Sequence, residues 1–131
     1  MIINYDIPNY ISLYQPQPSM LDFDDLDFQP HRSSDDAVQA RLDFGNGLEI
    51  SVVANIDGGI GLYGKVSDDL YEVAIFSDDG MIPLSPSDDV VGWQSPQQIS
   101  YLMAKAQSEG SVWVDELKEA KAEFRRELDL D

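Results

Sequence analysis

Two matched runs of alternating apolar and polar residues constrain the fold of this 131-residue chain more than any other feature. Apolar side chains fall at every second position in residues 38–44, and the same alternation resumes in residues 48–54. Successive side chains of a strand point to opposite faces, so each run predicts a strand with one packed face and one wet face. Gly45, Asn46 and Gly47 join the two runs and tolerate positive φ, which favours a tight hairpin.

The segments that follow extend the predicted sheet. Residues 70–76 alternate in the same way, and the Asp-Asp-Gly sequence at residues 78–80 favours a turn into a short strand over residues 81–84. Pro83 has no backbone donor, so this last strand is expected at an edge of the sheet.

The C-terminal third carries the signals of two helices. Ser95 as a capping residue, Pro96 at the first helical position and Gln98 closing a capping box predict a helix over residues 96–109. Gly110 ends it, and a second helix is predicted over residues 112–128. The expected apolar stripe of the first helix is Ile99, Leu102, Met103 and Ala106, and that of the second is Trp113, Leu117, Ala120, Phe124 and Leu128.

These patterns together predict the α+β class. We expect a single domain over residues 37–131, in which an antiparallel sheet of four or five strands (residues 38–84) packs one face against two C-terminal helices. Residues 1–36 differ in composition, with four prolines and seven acids against one base, and are expected to form an extended acidic arm. Within the arm, residues 2–7 and 10–14 fit either short strands added to the sheet or segments that wrap the domain.

The chain carries 25 acidic and 8 basic residues, a net charge of −17. Charge of this sign repels phosphate backbones and anionic membranes, so we expect neither nucleic acid nor a membrane as a direct partner. A protein with a basic surface, such as the groove of a nucleic-acid enzyme, is the partner that the charge favours. Acidity that serves solubility alone is the alternative.

A row of glutamates on the second helix is one candidate for the acidic contact. The residues share one helix face and are assigned to partner binding: Glu116, Glu119, Glu123 and Glu127. A solvated helix face without a partner is the alternative interpretation.

Residues that could carry catalysis are few. The chain has no cysteine and only one histidine, His31, which leaves too few soft or imidazole ligands for zinc. Residues 59–65 have the spacing of a phosphate-binding loop, but Val66 stands where Ser or Thr would hold magnesium, so a mobile glycine-rich loop is preferred. We therefore predict a non-enzymatic protein without cofactor or metal. A small hydrolase that uses clustered aspartates such as Asp57 and Asp79 is the remaining catalytic hypothesis.

The expected compartment is the cytoplasm. Absence of cysteine is consistent with reducing conditions, and the N-terminus lacks the basic region and apolar run of a signal peptide. No stretch approaches the ~20 apolar residues that a membrane helix needs.

The segment at residues 20–28, which follows a Pro/Gln-rich linker, alternates acids with hydrophobic residues. This composition is typical of chains that fold only on a partner. The segment resembles the acidic tail tip of bacterial single-stranded-DNA-binding proteins, except that Phe28 continues into Gln29 instead of ending the chain. The resemblance implies that Phe28 enters a partner's pocket while the acids meet its basic rim, and an acidic connector or edge strand is the alternative. The residues assigned to this contact are Asp22, Phe23, Asp24, Asp25, Asp27 and Phe28.

Residues 44–93 resemble a group of small proteins of bacterial viruses. The shared pattern is Asn46-Gly47, Ser51-Val52, Tyr63-Gly64, Tyr71-Glu72-Val73-Ala74, Asp79-Gly80 and Asp89-Val90-Val91-Gly92-Trp93. The resemblance implies a viral accessory role in the host cytoplasm and supplies no catalytic residues. The leading hypothesis is therefore a protein that inhibits a host nucleic-acid-binding or defence protein by charge mimicry. The alternative is a scaffold protein of the virion or replication complex, and a homodimer is compatible with either.

Overall fold

The computed structural model describes residues 20–129, so the segments predicted at residues 2–7 and 10–14 lie outside the described part of the chain. Within residues 20–129, six strands and two α-helices follow one another, with a short 3-10 helix at Phe23–Asp25 and another at Val66–Asp68. The strands are β1 (Gln29–Pro30), β2 (Ala37–Asp43), β3 (Glu49–Asn55), β4 (Tyr71–Ser77), β5 (Gly80–Met81) and β6 (Val90–Gln94), and the helices are α1 (Pro96–Glu109) and α2 (Ser111–Asp129).

The six strands form one antiparallel sheet, which confirms the predicted α+β class. The strand order is β1-β2-β3-β4-β5, and β6 pairs with the same side of β4 as β5 does. The predicted hairpin joins β2 to β3 with Asp43 opposite Glu49 and Ala37 opposite Asn55. The strand predicted at residues 81–84 is two residues long and does lie at an edge. Strands β1 and β6 were not predicted.

The core lies between one face of the sheet and α1. Ile50 and Val52 of β3 are fully buried, as are Val73 and Ile75 of β4. Three of the four residues of the predicted α1 stripe complete this layer without any exposed surface: Ile99, Met103 and Ala106. Each large apolar side chain buried in this way contributes about 1.5–3 kcal/mol to folding.

Both ends of α1 follow the predicted signals. The Ser95 hydroxyl accepts a hydrogen bond from the Gln98 N–H at 3.2 Å, and the Gln98 side chain accepts one from the Ser95 N–H at 2.8 Å. This reciprocal pair satisfies two amide donors that the first helical turn would otherwise leave without a partner. Gly110, at φ 52°, separates α1 from α2, which begins at Ser111.

Only the first turns of α2 are packed in the core. Trp113 and Val114 are buried and Leu117 is half-buried against the core, but Ala120 is exposed and Leu128 is 65% exposed. The predicted α2 stripe is thus wrong for Ala120 and Leu128, whereas Phe124 is half-buried. Periodicity locates an apolar face but not the length of the surface opposite it.

The described part of the predicted arm lies on the domain. The Leu21 N–H donates to the Gln107 side chain at 2.8 Å, and the Phe23 N–H donates to the Ser100 hydroxyl at 3.0 Å. Strand β1 pairs with β2 through Gln29 and Pro30. Residues 20–30 therefore belong to the same packed unit as the sheet and α1.

Candidate protein-interaction surfaces

The acidic segment (residues 20–28) turns its aromatic rings inward. The rings of Phe23 and Phe28 lie 5.1 Å and 5.4 Å from that of Tyr71, centroid to centroid, and 5.8 Å from each other. Leu21 and Leu26 also pack against the core. The composition of the segment predicted that a partner would supply its apolar surface, but the chain itself supplies it. In this conformation Phe28 is not available to enter a partner's pocket.

The carboxylates of the acidic segment point the other way. Asp24, Asp25 and Asp27 are exposed, and Asp22 is half-buried. The Asp22 carboxylate accepts a hydrogen bond from the Asp24 N–H at 2.9 Å, and the Asp25 carboxylate accepts one from the Asp22 N–H at 2.8 Å. Asp22 and Asp25 therefore stabilise the local 3-10 turn. Partner binding by these aspartates stays a prediction.

The four predicted glutamates of α2, which we call the glutamate ridge (Glu116, Glu119, Glu123 and Glu127), are all exposed. Two lysines of the helix pair with carboxylates outside it: the Lys118 Nζ lies 3.9 Å from a carboxylate oxygen of Asp79, and the Lys121 Nζ lies 3.7 Å from one of Asp89. Within the ridge, Glu123 is paired with Arg126 at 3.3 Å. The ridge is therefore acidic along its length and only partly neutralised.

A third surface was not predicted. It lies where β3 ends and β4 begins, at the opposite end of the sheet from the β2–β3 turn, and consists of three large side chains that we call the tip patch. These are Ile60, 92% exposed, Tyr63, 61% exposed, and Trp93, 51% exposed. Ile60 and Trp93 line the same groove, and the Trp93 N–H donates to the Tyr63 carbonyl, so the three residues are neighbours.

Hydrogen bonds to the sheet hold part of the loop that carries the tip patch. The Asn55 side-chain amide donates to the carbonyl oxygens of Leu62 and Gly64, each at 2.9 Å. The Tyr63 N–H donates to the Glu72 carboxylate at 2.8 Å, and the Trp93 N–H donates to the Tyr63 carbonyl at 2.7 Å. These bonds anchor residues 62–64 to β3, β4 and β6. The mobility that the glycine content suggests for the loop stays a prediction.

The ionisation of Tyr71 provides a test of the aromatic cluster that it forms with Phe23 and Phe28. Burial, with a smaller contribution from its 3.0 Å hydrogen bond to the Asp69 carboxylate, raises the pKa of Tyr71 from an ordinary 10.0 to about 12. A titration followed by tyrosinate absorbance is expected to show one late step that Tyr71→Phe removes. The Tyr71 phenol ionises at a lower pH in the unfolded chain than in the folded one, so high pH favours unfolding. Its contribution to the free energy of unfolding is complete below pH 10 and is lost as the pH rises towards 12, a decrease of roughly 2–3 kcal/mol. A late step that persists in Tyr71→Phe, or the absence of any late step in the wild type, would contradict the burial of the cluster.

The described residues do not assemble a metal or nucleotide site. Within residues 20–129 no group of three or more His, Cys, Asp or Glu side chains is placed to hold a metal ion. The glycine–lysine spacing at residues 59–65 leads into a 3-10 turn and then β4, not into the helix that a phosphate-binding loop requires. No helix of the described chain is both long enough and apolar enough to cross a membrane.

Comparison of the chain with protein-family models, with curated proteins and with solved structures finds no match. The resemblance to proteins of bacterial viruses therefore stays a prediction.

Proposed function

We propose that the protein is an acidic accessory protein of a bacterial virus, which binds a host nucleic-acid-binding or defence protein and inhibits it by charge mimicry. The observation that carries the proposal is the glutamate ridge, an exposed row of carboxylates on a regular helix. In the bound state these carboxylates would occupy sites on the partner that normally hold phosphates.

The spacing of the ridge suits this role. The first and last of its four carboxylates are eleven residue steps apart, and at about 1.5 Å of rise per residue the carboxylates recur on average about every 5.5 Å along the helix axis. Phosphates recur about every 3.4 Å along the axis of one DNA strand. The ridge thus offers a linear charge density of the same order as a single strand, on a scaffold whose geometry is fixed before binding.

The rest of the charge distribution favours the same kind of partner. Five basic side chains of the described chain lie in ion pairs with carboxylates, so they project little positive charge: Arg41, Lys105, Lys118, Lys121 and Arg126. With a net charge of −17, the protein attracts a basic surface over a distance of about 10 Å at moderate salt.

Neutralising the ridge is expected to weaken binding on the order of tenfold, because each lost carboxylate removes attraction to a basic groove. The ridge variant carries Glu116→Gln, Glu119→Gln and Glu127→Gln. The control variant carries the same change of charge at exposed carboxylates elsewhere, namely Asp35→Asn, Asp68→Asn and Asp78→Asn. Both are compared with the wild type by pulldown from bacterial lysate, followed by affinity measurement on the purified target at low and high salt.

Inhibition is measured in the same system as the displacement of DNA or RNA from the retained host protein. A second variant, Asp24→Asn with Asp27→Asn, tests the acidic segment without touching the capping carboxylates of its turn. Equal losses in the ridge and control variants, or binding that salt does not weaken, would contradict charge mimicry. Retention of only viral proteins or of the protein's own copies would favour the scaffold function instead.

A further inference from the structure

The tip patch is built around a residue in an unusual backbone conformation. Trp93 has φ +56°, in the left-handed region of backbone conformation that residues other than glycine, asparagine and aspartate seldom adopt. It lies at a bulge of β6, where Tyr71 pairs with Gln94 but Val73 pairs with Val91, so two residues of β6 face one residue of β4. Bulges of this kind redirect a side chain out of the regular ladder. Here the bulge sends the Trp93 N–H to the Tyr63 carbonyl and leaves half of the indole in solvent.

The residue before Trp93 shows why this conformation is held. A Cβ at Gly92 would lie 2.4 Å from the Tyr63 Cβ, so only glycine lets the two aromatic residues approach each other. The contact between Tyr63 and Trp93 thus requires glycine at position 92 and a positive φ at Trp93, yet it leaves both aromatic side chains exposed. Exposed tryptophan and tyrosine are the residue types that dominate protein-interface energetics, and here the backbone of both is held by hydrogen bonds.

The surroundings of the patch specify the partner's charge. Asp36 and Asp57 are exposed beside the loop: the Asp36 carbonyl accepts the Ile56 N–H at 2.8 Å, and Asp57 follows Ile56 in sequence. The Glu72 carboxylate accepts a hydrogen bond from the Tyr63 N–H and is the third acid beside the patch. Against these three acids the loop itself carries one base, Lys65. An apolar centre with an acidic rim complements an apolar hollow with a basic rim and repels a second copy of itself.

We propose that the tip patch is a second protein-binding surface, at which Ile60, Tyr63 and Trp93 insert into an apolar hollow of a partner protein that is bordered by lysine or arginine. The surface does not depend on the glutamate ridge or on charge mimicry. Because most of its binding free energy comes from burying apolar surface, its affinity persists at salt concentrations that screen the ridge.

Photo-crosslinking identifies the partner directly. A benzophenone amino acid replaces Tyr63 in one preparation and Tyr101 in another, where Tyr101 serves as a matched control because it is also an exposed tyrosine, but on α1. Both preparations are irradiated in the bacterial lysate used for the pulldown. The expected result is a defined protein attached at position 63 and absent at position 101. Attachment at neither position, or only to the protein's own copies, would overturn the proposal.

Affinity for the purified crosslinked partner then tests Trp93 itself. Trp93→Gly removes the indole and places at φ +56° the residue that tolerates it best, so the melting temperature is expected to stay within about 4 °C of the wild type. Binding is expected to weaken about thirtyfold, as for an interface aromatic, while Tyr101→Ala changes it less than about twofold. Unchanged affinity in Trp93→Gly overturns the proposal whatever its stability.

The ridge variant distinguishes the two proposals. If it loses the salt-sensitive part of binding while Trp93→Gly loses the salt-resistant part, both surfaces contribute. A tip patch that fails this test leaves charge mimicry standing, and a ridge that fails leaves the tip patch standing.

Discussion

The Gly64→Ala variant is expected to be about 3 kcal/mol less stable than the wild type, because the added methyl group has no room. A Cβ at position 64 would lie 2.7 Å from the Tyr71 Cα and 2.9 Å from both the Glu72 nitrogen and the Leu70 carbonyl oxygen. All three are backbone atoms at the start of β4, so no side-chain rotation relieves the contact. The Gly64 carbonyl also accepts hydrogen bonds from the Asn55 backbone N–H and side-chain amide, which ties any shift to the end of β3.

Gly45→Ala provides the matched control for this experiment. Gly45 has φ +80°, but a Cβ there would meet no other atom within 4 Å, so the variant tests backbone strain alone. Its expected cost is about 1–2 kcal/mol. Urea unfolding followed by circular dichroism gives both values. A Gly64→Ala variant no less stable than Gly45→Ala would show that the loop yields at the contact with β4.

The central sheet and the first helix could be predicted because several signals of different kinds agreed there. In β2 and β3 the alternation, the turn residues and the hairpin length all specified one register, with Asp43 opposite Glu49. For α1 the cap and the proline predicted a start, and Gly110 predicted an end, that match the observed Pro96–Glu109. Where local preferences are consistent with one another, tertiary contacts have little left to decide.

The tip patch could not be predicted, because its parts are distant in sequence. Nothing local distinguishes Trp93 from a core tryptophan such as Trp113, which is buried. The bulge that exposes Trp93 depends on the pairing of β6 with β4, and the bend of the loop depends on Asn55 and Glu72. Glycines alone indicated flexibility, although here they permit close approach between backbone segments.

The packing of the acidic segment could not be predicted for a related reason. Its acids and hydrophobic residues resemble a chain that folds only on a partner, and composition carries no information about whether the same molecule offers the apolar surface. Leu21, Phe23, Leu26 and Phe28 follow neither the helical nor the strand period, yet all of them pack against the core. The surface that receives them includes Tyr71, which the strand pattern had placed only as a member of the sheet.

Replacing both phenylalanines of the acidic segment with alanine is expected to destabilise the protein by about 3 kcal/mol. A fully buried phenylalanine costs about 3–5 kcal/mol on truncation, and these two are half-buried but share contacts with each other and with Tyr71. The variant Phe23→Ala with Phe28→Ala should also lower the pKa of Tyr71 from about 12, since the phenol gains access to water. Urea unfolding and the absorbance titration measure the two effects.

The same variant separates the structural role of the acidic segment from its resemblance to a partner-binding tail. Asp24→Asn with Asp27→Asn is the matched control, because both side chains are exposed and both rings remain in place. If the segment works as a detachable tail, the aromatic variant keeps its stability and loses partner binding. If the rings anchor the segment to the sheet, stability falls, the aspartate variant unfolds like the wild type, and any binding by the segment depends only on its carboxylates. The 5.1 Å and 5.4 Å ring contacts with Tyr71 favour the second outcome, because detaching the segment would expose three aromatic rings to water.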